Sequence, residues 1–247
     1  MNPSEYSNLA KVEREHWFYV GKREIVRHWI QRVRPLRPDH LLLDSGAGTG
    51  TFAAEMAAHC RVLAVDDHEE SLALARTQLG DAHVKSGTCL NLPVESGSVD
   101  VLTALDVLEH VQEDKRAMTE FSRVVRPGGL VIVTVPALML LWSDWDKALH
   151  HCRRYNRRSL LAVIPAAAFE LVHCNYVNVA ALPLVLMVRK WRALKRALGG
   201  RIQARTEDAI PPKWINAALR WSFVRPACQA WIRFPAGVGL LLVLRRV

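Results

Sequence analysis

The chain has few cysteines, and their spacing does not join them into a site. Five cysteines are scattered over 247 residues, and no two of them form a C-x-x-C pair. Neither a disulfide framework nor a zinc site is therefore expected. The first residues are polar and lack the apolar core of a secretory signal. We therefore expect a reducing, cytoplasmic setting.

Other common signatures are absent as well. The sequence contains no internal repeat, no low-complexity tract and no G-x-S-x-G elbow of serine hydrolases. Its histidines form no metal-ligand spacing beyond the adjacent pair His150 and His151, so no metal site is predicted. The uncharged run 171–188 contains Asn175 and Pro183 and divides into a strand and a helix start. This composition argues against a membrane span.

The charge is distributed unevenly. Residues 1–188 hold 20 Lys and Arg against 22 Asp and Glu, whereas residues 189–247 hold 13 against 2. The whole basic excess therefore lies in the last quarter of the chain. A basic block of this kind suggests an anionic partner, although a solvated basic face that aids solubility is an equally good explanation.

Short apolar segments alternate with helical patterns along most of the chain. This alternation predicts an α/β fold with a doubly wound, mostly parallel seven-stranded sheet, because buried parallel strands read as continuous apolar runs. The predicted strands are 40–46, 61–67, 82–87, 98–108, 128–136, 169–178 and 238–246.

Four segments follow from this pattern. We expect an N-terminal helical cap over 1–38, an α/β core over 39–182, a basic amphipathic helical insertion over 183–233, and a final strand of the core within 234–247. The cap is predicted to be one helix that ends before Pro35.

A glycine-rich turn follows the first predicted strand. Gly46, Gly48 and Gly50 are spaced G-x-G-x-G, and Thr51 stands where a dinucleotide fingerprint has its third glycine. Asp44, just before the turn, would place a carboxylate where a pyrophosphate has to lie. The turn therefore favours a cationic ligand.

Two acidic residues end the second predicted strand. Asp66 and Asp67 follow the apolar run of that strand, and a carboxylate in this position can accept hydrogen bonds from both hydroxyls of a ribose. A nucleoside that carries positive charge and no phosphate fits this combination. S-adenosylmethionine has these properties.

Four ordered motifs within residues 40–136 resemble class I S-adenosylmethionine-dependent methyltransferases of the methyltransferase type 11 group. They read LLDSGAGTG, VLAVDD, LNLPVESGSVDVLTALDVLEHV and RVVRPGGLVIVTVP. The resemblance implies a Rossmann-like methyltransferase fold with S-adenosylmethionine as cofactor. It also implies contacts to the methionine part, the ribose, the adenine and the space beyond strand four, from Asp44, Gly46, Ala47, Gly48, Gly50, Asp66, Asp67, Thr88, Cys89, Leu105 and Asp106.

The sequence departs from this group at two positions. Ala47 stands where Cys is usual, which keeps a small residue in a small space. Thr88 stands where Asp is usual, and its hydroxyl accepts from the adenine amino group more weakly than a carboxylate does. The run Asn/Asp-Pro-Pro-Tyr, by which related families methylate nucleic-acid bases, is absent.

The polar segment 146–156 resembles a subgroup of these methyltransferases with the pattern W-S-x-x-D-x-x-x-x-H-x-R-R-Y. The same subgroup begins with E-x-x-H-W-F, here Glu13 to Phe18, and often has Gly at the position of His150. Trp17 and Phe18 are expected either to cap the cofactor cleft or to pack in the core. The pattern marks a second set of residues, Trp142, Asp146, His151, Arg153, Arg154 and Tyr155.

Segment 146–156 leaves strand five at the edge of the sheet where ligands bind. His151, oriented by Asp146, is the first candidate for the base that accepts a proton from the methyl acceptor, and His110 is the second. Tyr155 belongs to the same candidate set. A purely structural histidine in a lid is an equally good interpretation of His151. Arg153 and Arg154 either anchor an acidic acceptor or bridge to the N-terminal helix.

The basic insertion combines tryptophan, leucine and arginine. Trp191, Trp214, Trp221 and Trp231 alternate with basic residues, which favours docking on an anionic membrane surface over contact with RNA. The sequence as a whole predicts a methyltransferase that acts on oxygen or nitrogen of a small or lipid-linked acceptor. The alternatives are a nicotinamide-dependent reductase and a cofactor-binding scaffold without activity that docks on membranes.

Overall fold

The computed structural model describes residues 12–197 and 209–247. Its centre is a seven-stranded sheet with the order β3-β2-β1-β4-β5-β7-β6. The strands are β1 (Leu41–Ser45), β2 (Arg61–Asp66), β3 (Val84–Ser86), β4 (Val99–Leu105), β5 (Val125–Pro136), β6 (Phe169–Val177) and β7 (Gly239–Arg246).

Helices cover both faces of the sheet. They are α1 (Trp17–Val33), α2 (Thr51–Met56), α3 (Glu69–Leu79), α4 (Asp114–Val124), α5 (Asp144–Ala148), α6 (Arg157–Leu161), α7 (Leu182–Ala197) and α8 (Lys213–Ala227). No helix within the described residues is both long enough and apolar enough to cross a bilayer.

Strands β1 to β5 are parallel to one another, and β7 runs antiparallel to both β5 and β6. The strand order reverses between β1 and β4, and in such sheets ligands bind at the carboxyl ends of the strands beside the reversal. The predicted doubly wound, mostly parallel seven-stranded sheet is confirmed.

Two apolar clusters hold the helices against the sheet. One contains Phe121 of α4 and Leu102 of β4, and the other contains Trp29 of α1 and Phe52 of α2. Strands β4 and β5 are buried on both faces, which explains their unbroken apolar sequence.

Helix α8 of the basic insertion packs against α1. The side-chain oxygen of Asn216 accepts a hydrogen bond from the backbone N–H of Trp17 at 2.8 Å, and the indole N–H of Trp29 donates to the carbonyl of Ala227 at 3.1 Å. The ring of Phe223 lies against Gly21, where an added Cβ would approach it to 2.8 Å. This packing places α1 at the carboxyl edge of the sheet.

Several predicted boundaries differ from the structure. The predicted N-terminal helix is divided at His16, whose side chain accepts from the backbone N–H of Phe18 and begins α1; residues 12–15 are helical and residues 1–11 lie outside the described part. Helix α6 ends at Leu161, and Pro165 lies four residues further on, where it cannot continue a helix. The last strand begins at Gly239, after Pro235.

Candidate active site

The turn between β1 and α2 needs glycine at three places. Gly46, Gly48 and Gly50 have φ values of +69°, +55° and +78°, which other residues rarely adopt. A Cβ on Gly46 would lie 2.5 Å from a methyl carbon of Val107, whereas a Cβ on Gly48 would meet nothing within 4 Å. The turn is therefore tightly packed beneath Gly46 and open towards a ligand at Gly48.

Asp44 lies directly below this turn. Its side chain is buried and accepts a hydrogen bond from the hydroxyl of Thr103 at 2.6 Å. Burial raises the pKa of Asp44 to about 7; the Thr103 hydrogen bond opposes this shift, and the negative charges of Asp66 and Glu13 add to it. A cation placed beside Asp44 would reverse the shift by favouring the ionised form.

Asp66 at the end of β2 is tied to the glycine turn. One of its carboxylate oxygens accepts from the backbone N–H of Gly48 at 2.8 Å, and the other accepts from that of His68 at 3.0 Å. These bonds leave acceptor positions on both oxygens, because a carboxylate can accept about four hydrogen bonds. The structure thus places the predicted ribose-binding residue beside the turn.

A third carboxylate at the turn was missed in the sequence analysis. Glu13, which precedes α1, accepts hydrogen bonds from the hydroxyls of Thr49 and Thr51 at the start of α2. A dinucleotide fold uses this helix start for a pyrophosphate. Here a carboxylate already lies at that position. The E-x-x-H-W-F pattern singled out Glu13, but it did not indicate that Glu13 contacts the glycine turn.

A cavity of about 560 Å³ opens beside the glycine turn. It is bordered by α1, the turns after β1, β4 and β5, and α7. Among the predicted residues, its lining contains Trp17, Phe18, Asp44, Gly46, Ala47, Gly48, Leu105, Asp106, His110, His151 and Arg154. One enclosed space therefore joins the predicted methionine side of the cofactor site to the predicted acceptor side.

Lys22 of α1 crosses this cavity to Asp106. The ammonium group forms an ion pair with the Asp106 carboxylate and lies 4.5 Å from the centre of the Phe18 ring. Burial acts to raise the pKa of Asp106, but the charge and hydrogen bond of Lys22, with a hydrogen bond from Thr134, outweigh it and lower that pKa. Asp106 also has a positive φ of 57°. The predicted cofactor residue already has a cationic partner.

The other predicted cofactor residues lie outside the cavity lining. Thr88 accepts from the backbone N–H of Leu90 at 3.3 Å, and Asp67 is exposed and pairs with His68 at 2.7 Å. Burial raises the pKa of the Cys89 thiol to about 11, and the charge of Asp67 adds to the shift. Asp67 and Cys89 are therefore near one another at the ends of β2 and β3. Gly50 packs against Ala75 instead.

Asp146 organises the polar segment after β5. Its carboxylate is fully buried, accepts from Nδ1 of His151 at 3.0 Å, and forms a bidentate pair with Arg154 at 2.6 and 3.1 Å. It also caps its own helix through the N–H of Ser143. Burial acts to raise the pKa of Asp146, but the hydrogen bonds from His151 and Arg154 outweigh it and hold that pKa far below its ordinary value.

The same segment is bonded to the turn after β4. The N–H of Cys152 donates to the carbonyl of Glu109 at 2.7 Å, and Arg153 pairs with Asp114 at 2.5 Å. Arg153 bridges to Asp114 and Arg154 to Asp146, and neither pairs with the described part of the N-terminal helix, residues 12–33.

Tyr155 is not brought into the cavity. Its ring is buried, and its hydroxyl donates to Asp114 at 2.8 Å. Burial raises the pKa of the Tyr155 hydroxyl well above its usual range, and the hydrogen bond to Asp114 adds to this shift. These contacts hold segment 146–156 in place. The sequence analysis had instead grouped Tyr155 with the catalytic candidates.

Two titratable residues of the β4 turn line the cavity next to His151. Glu109 is fully buried, and burial raises its pKa well above the ordinary value, with the Asp106 charge adding to the shift. The rings of His110 and His151 are nearly perpendicular, with an interplanar angle of 87° and centroids 4.7 Å apart. Burial lowers the pKa of His110, and His151 lowers it further. The sequence analysis named His110 but gave Glu109 no role.

Comparison with known proteins points to methyltransferases. Residues 43–133 match the family described as a methyltransferase domain. A probable S-adenosylmethionine-dependent methyltransferase from Mycolicibacterium smegmatis is 29% identical over 164 residues, which cover 65% of this chain and 62% of that protein. The chain spans only 62%, 57% and 54% of the length of the first curated relatives that it matches.

Solved structures share the fold at low sequence identity. Geranyl diphosphate methyltransferase in complex with S-adenosylmethionine gives a TM-score of 0.59 at 16% identity, over 90% of this chain and 85% of that one. The [4+2]-cyclase SpnF gives 0.55 at 21% identity, over 90% and 80%. Because the second protein is a cyclase by name, this fold alone does not determine the reaction.

The fold and the match of residues 43–133 define a class I, Rossmann-like methyltransferase domain. Residues 43–133 form the methyltransferase domain, and the chain is similar to probable S-adenosylmethionine-dependent methyltransferases. The predicted family, enzyme class and cofactor of the domain are thereby confirmed, whereas the acceptor and the roles of the individual residues stay predictions.

Proposed function

We propose that this chain transfers the methyl group of S-adenosylmethionine to oxygen or nitrogen of a small or lipid-linked acceptor. The observation that carries the proposal is the cavity of about 560 Å³. It joins the open glycine turn at Gly48 and the carboxyl of Asp44 to the imidazole of His151, which Asp146 orients. A cationic cofactor and its acceptor can thus meet in one enclosed space.

The proposed chemistry is an in-line displacement. A lone pair of the acceptor oxygen or nitrogen attacks the methyl carbon, the bond from carbon to sulfur breaks, and its electron pair stays on sulfur as a neutral thioether. The proton of the acceptor passes to Nε2 of His151, while the Asp146 carboxylate stabilises the imidazolium through Nδ1. Alignment of the reactants in the cavity contributes much of the remaining rate acceleration.

The charges at the glycine turn support this proposal over a nicotinamide-dependent reductase. Glu13, Asp44 and Asp66 surround the turn with carboxyl groups. These groups attract the sulfonium and ammonium groups of S-adenosylmethionine and repel the pyrophosphate of a dinucleotide. Titration calorimetry with S-adenosylmethionine, S-adenosylhomocysteine and NADH tests the proposal. Binding of the first two and not of NADH is expected, and binding of NADH alone would overturn it.

Cofactor affinity should depend on pH through Asp44. The pKa of Asp44 is about 7, so its carboxyl is mostly protonated below that pH and mostly charged above it. Because a cationic ligand favours the charged form, the affinity should rise as the pH increases towards 7 and level off above it, by up to about tenfold per pH unit below the pKa. Calorimetry between pH 5.5 and 8.5, at roughly half-unit steps, measures this profile.

The variant Asp44→Asn is the control for that profile. It keeps the shape of the side chain and removes the titrating group, so its affinity should be lower at pH 8 and flat over the same range. The variant should also be more stable than the parent at pH 8. A carboxyl whose folded pKa is raised loses stability as the pH rises through that pKa. A parent profile that is also flat would contradict the placement of the cationic ligand at Asp44.

The surroundings of the cavity support a lipid-linked acceptor. Val185 and Arg189 of α7 line the cavity, and the neighbouring turn 139–141 presents Met139 and Leu140 to solvent. Among the side chains of α7 that the structure describes, the large apolar residues Leu184, Met187 and Trp191 are exposed. An apolar rim of this kind suits an acceptor that carries a hydrocarbon chain.

The exposed tryptophans of the basic insertion 183–233 support docking on a membrane surface. Trp214 and Trp221 of α8 and Trp231 after it are 75%, 66% and 80% exposed. Described basic side chains of α7 and α8 are exposed as well, Lys190, Lys195, Lys213, Arg220 and Arg225. Exposed tryptophan beside basic residues suits a negatively charged lipid interface. The part of the predicted surface at 198–208 lies outside the described residues.

Vesicle binding measures this docking. Co-sedimentation should increase with the fraction of phosphatidylglycerol and decrease with salt, since each basic residue near the surface contributes about 1 kcal/mol at low ionic strength. Replacing Trp214 and Trp231 by Ser should release the protein, while Val247→Ser, which alters an exposed apolar residue elsewhere, should not. Equal binding to neutral and anionic vesicles would contradict electrostatic docking.

A further inference from the structure

Glu109, His110 and His151 come together in the wall of the cavity although they are far apart in sequence. A carboxylate oxygen of Glu109 and one ring nitrogen of each histidine lie within 4.8 Å of one another. Glu109 and His110 belong to the turn after β4, and His151 belongs to the segment after β5. The backbone bond from Cys152 to Glu109 joins the two segments directly beside this cluster.

Glu109 is the most unusual member of the cluster. Its side chain is fully buried, and both of its carboxylate oxygens are without a hydrogen-bond partner among the described residues. Leaving a carboxyl group without partners in the interior is costly, so buried carboxyl groups are normally paired or bind a metal ion. The position of the group therefore requires an explanation that the surrounding protein atoms do not supply.

His151 is oriented in the way that metal-binding histidines are. Its Nδ1 is held by the fully buried carboxylate of Asp146 at 3.0 Å, which leaves Nε2 for a ligand. A carboxylate on the far nitrogen is the usual second partner of a metal-bound imidazole, because it fixes the tautomer and the ring orientation. The exposed side of the cluster is provided by His110.

We propose that Glu109, His110 and His151 bind a divalent first-row transition-metal cation, in the cavity that the proposed function assigns to the acceptor. Ligand atoms at about 2.1 Å from one ion are at most about 4.2 Å apart. Small side-chain rotations thus bring atoms that lie within 4.8 Å onto a shared ion. Two imidazoles and one carboxylate form an open site for Zn²⁺, Mn²⁺ or Fe²⁺, because Mg²⁺ and Ca²⁺ favour sites made of oxygen atoms.

This site narrows the acceptor to a hydroxyl compound, a step that rests on the proposed function. A cation bound to the acceptor hydroxyl lowers the pKa of that hydroxyl, and its proton passes to water at the mouth of the cavity. The oxygen then attacks the methyl carbon, and the carbon–sulfur bond breaks with its electron pair retained by sulfur. With a cation present, His151 serves as a ligand and no longer as the base.

A second group with possible metal ligands provides an internal control. Asp66, Asp67 and His68 also lie within 4.8 Å of one another. Their groups already bind each other or the backbone, since His68 pairs with Asp67 at 2.7 Å and Asp66 accepts from Gly48 and His68. Its His68 allows a control variant that removes a histidine away from the proposed metal site.

Metal binding to the full chain tests the inference without any acceptor. Protein stripped with a chelator is titrated with Co²⁺, whose visible absorption reports nitrogen and oxygen ligation, and with Zn²⁺ by calorimetry. One ion per chain is expected. Glu109→Gln, which preserves the shape of the side chain, and His151→Ala should each weaken binding by at least about a hundredfold. His68→Ala and His150→Asn should leave it unchanged.

Each outcome bears on the inference. Absence of stoichiometric binding in the parent, or equal affinity in the parent and Glu109→Gln, would overturn it. Thermal melts of every variant identify any loss of fold, and His110→Ala supplies a third ligand variant if one of the others fails to fold. S-adenosylmethionine binding is measured on the same samples. Cofactor binding without metal binding refutes the metal site alone, whereas metal binding without cofactor binding refutes the proposed function alone.

Discussion

Replacing His151 with Ala should lower the rate of S-adenosylhomocysteine formation by about 10²–10⁴-fold while leaving cofactor affinity nearly unchanged. A positioned general base contributes a rate factor of this size. The rate should also fall if His151 instead binds a cation. Cofactor affinity should persist because the glycine turn and Asp66 lie on β1 and β2, away from segment 146–156. The measurement is turnover with a methyl acceptor at saturating cofactor.

The neighbour His150 is the matched control. It is exposed and has a positive φ of 57°, a conformation that Asn tolerates better than most residues. His150→Asn should therefore keep both fold and turnover. Equal, mild losses in the two variants would show that the segment covers the cavity without taking part in the reaction, and His110 would become the next candidate.

Replacing Asp146 with Asn should lower the free energy of unfolding by about 3–5 kcal/mol. The change removes the carboxylate from a pair in which Asp146 is 0% and Arg154 is 7% exposed, so the guanidinium stays buried without a counter-charge. The cost corresponds to a decrease in melting temperature of roughly 6–20 °C for a chain of this size. Thermal unfolding at neutral pH measures it.

At acid pH, the difference in the free energy of unfolding between the parent and Asp146→Asn should become smaller. The folded pKa of Asp146 lies far below the ordinary value of 3.8. The parent therefore has this stabilisation above pH 3.8 and loses it as the pH falls towards the folded pKa. The exposed pair of Glu113 and Arg116 at 3.3 Å is the control. Glu113→Gln should change stability by under about 1 kcal/mol, and an equally small effect of Asp146→Asn would contradict the role assigned to the buried pair.

Most strands could be predicted because they are compact apolar runs bounded by glycine, proline or charge, whereas β3 (Val84–Ser86) has a weaker pattern. All seven predicted strands are present, and the glycine spacing at 46, 48 and 50 corresponds to three positive φ values. The start of α1 was less accurate. His16 begins α1 through a hydrogen bond of its own side chain, so a local contact decided where this helix begins.

Where the candidate residues lie in the fold was predicted in part, whereas their roles stay predictions. Asp44, Gly46, Gly48 and Asp66 could be placed because each has a position in a local motif that the strand pattern fixes. Tyr155 could not be placed correctly, because the direction of its side chain depends on Asp114, which is 41 residues away. The roles of Arg153 and Arg154 also depended on partners that only the packed segments provide.

The sequence by itself determined the class of fold, the glycine turn after β1 and the order of the motifs, since these depend on local patterns of apolar residues and glycine. Only the tertiary structure decided which side chains share the cavity. It brought Glu13 to the start of α2 and placed Glu109 beside His151. These contacts join residues that are many positions apart, and such neighbours are set by how helices and loops pack over the sheet. No local pattern specifies that packing.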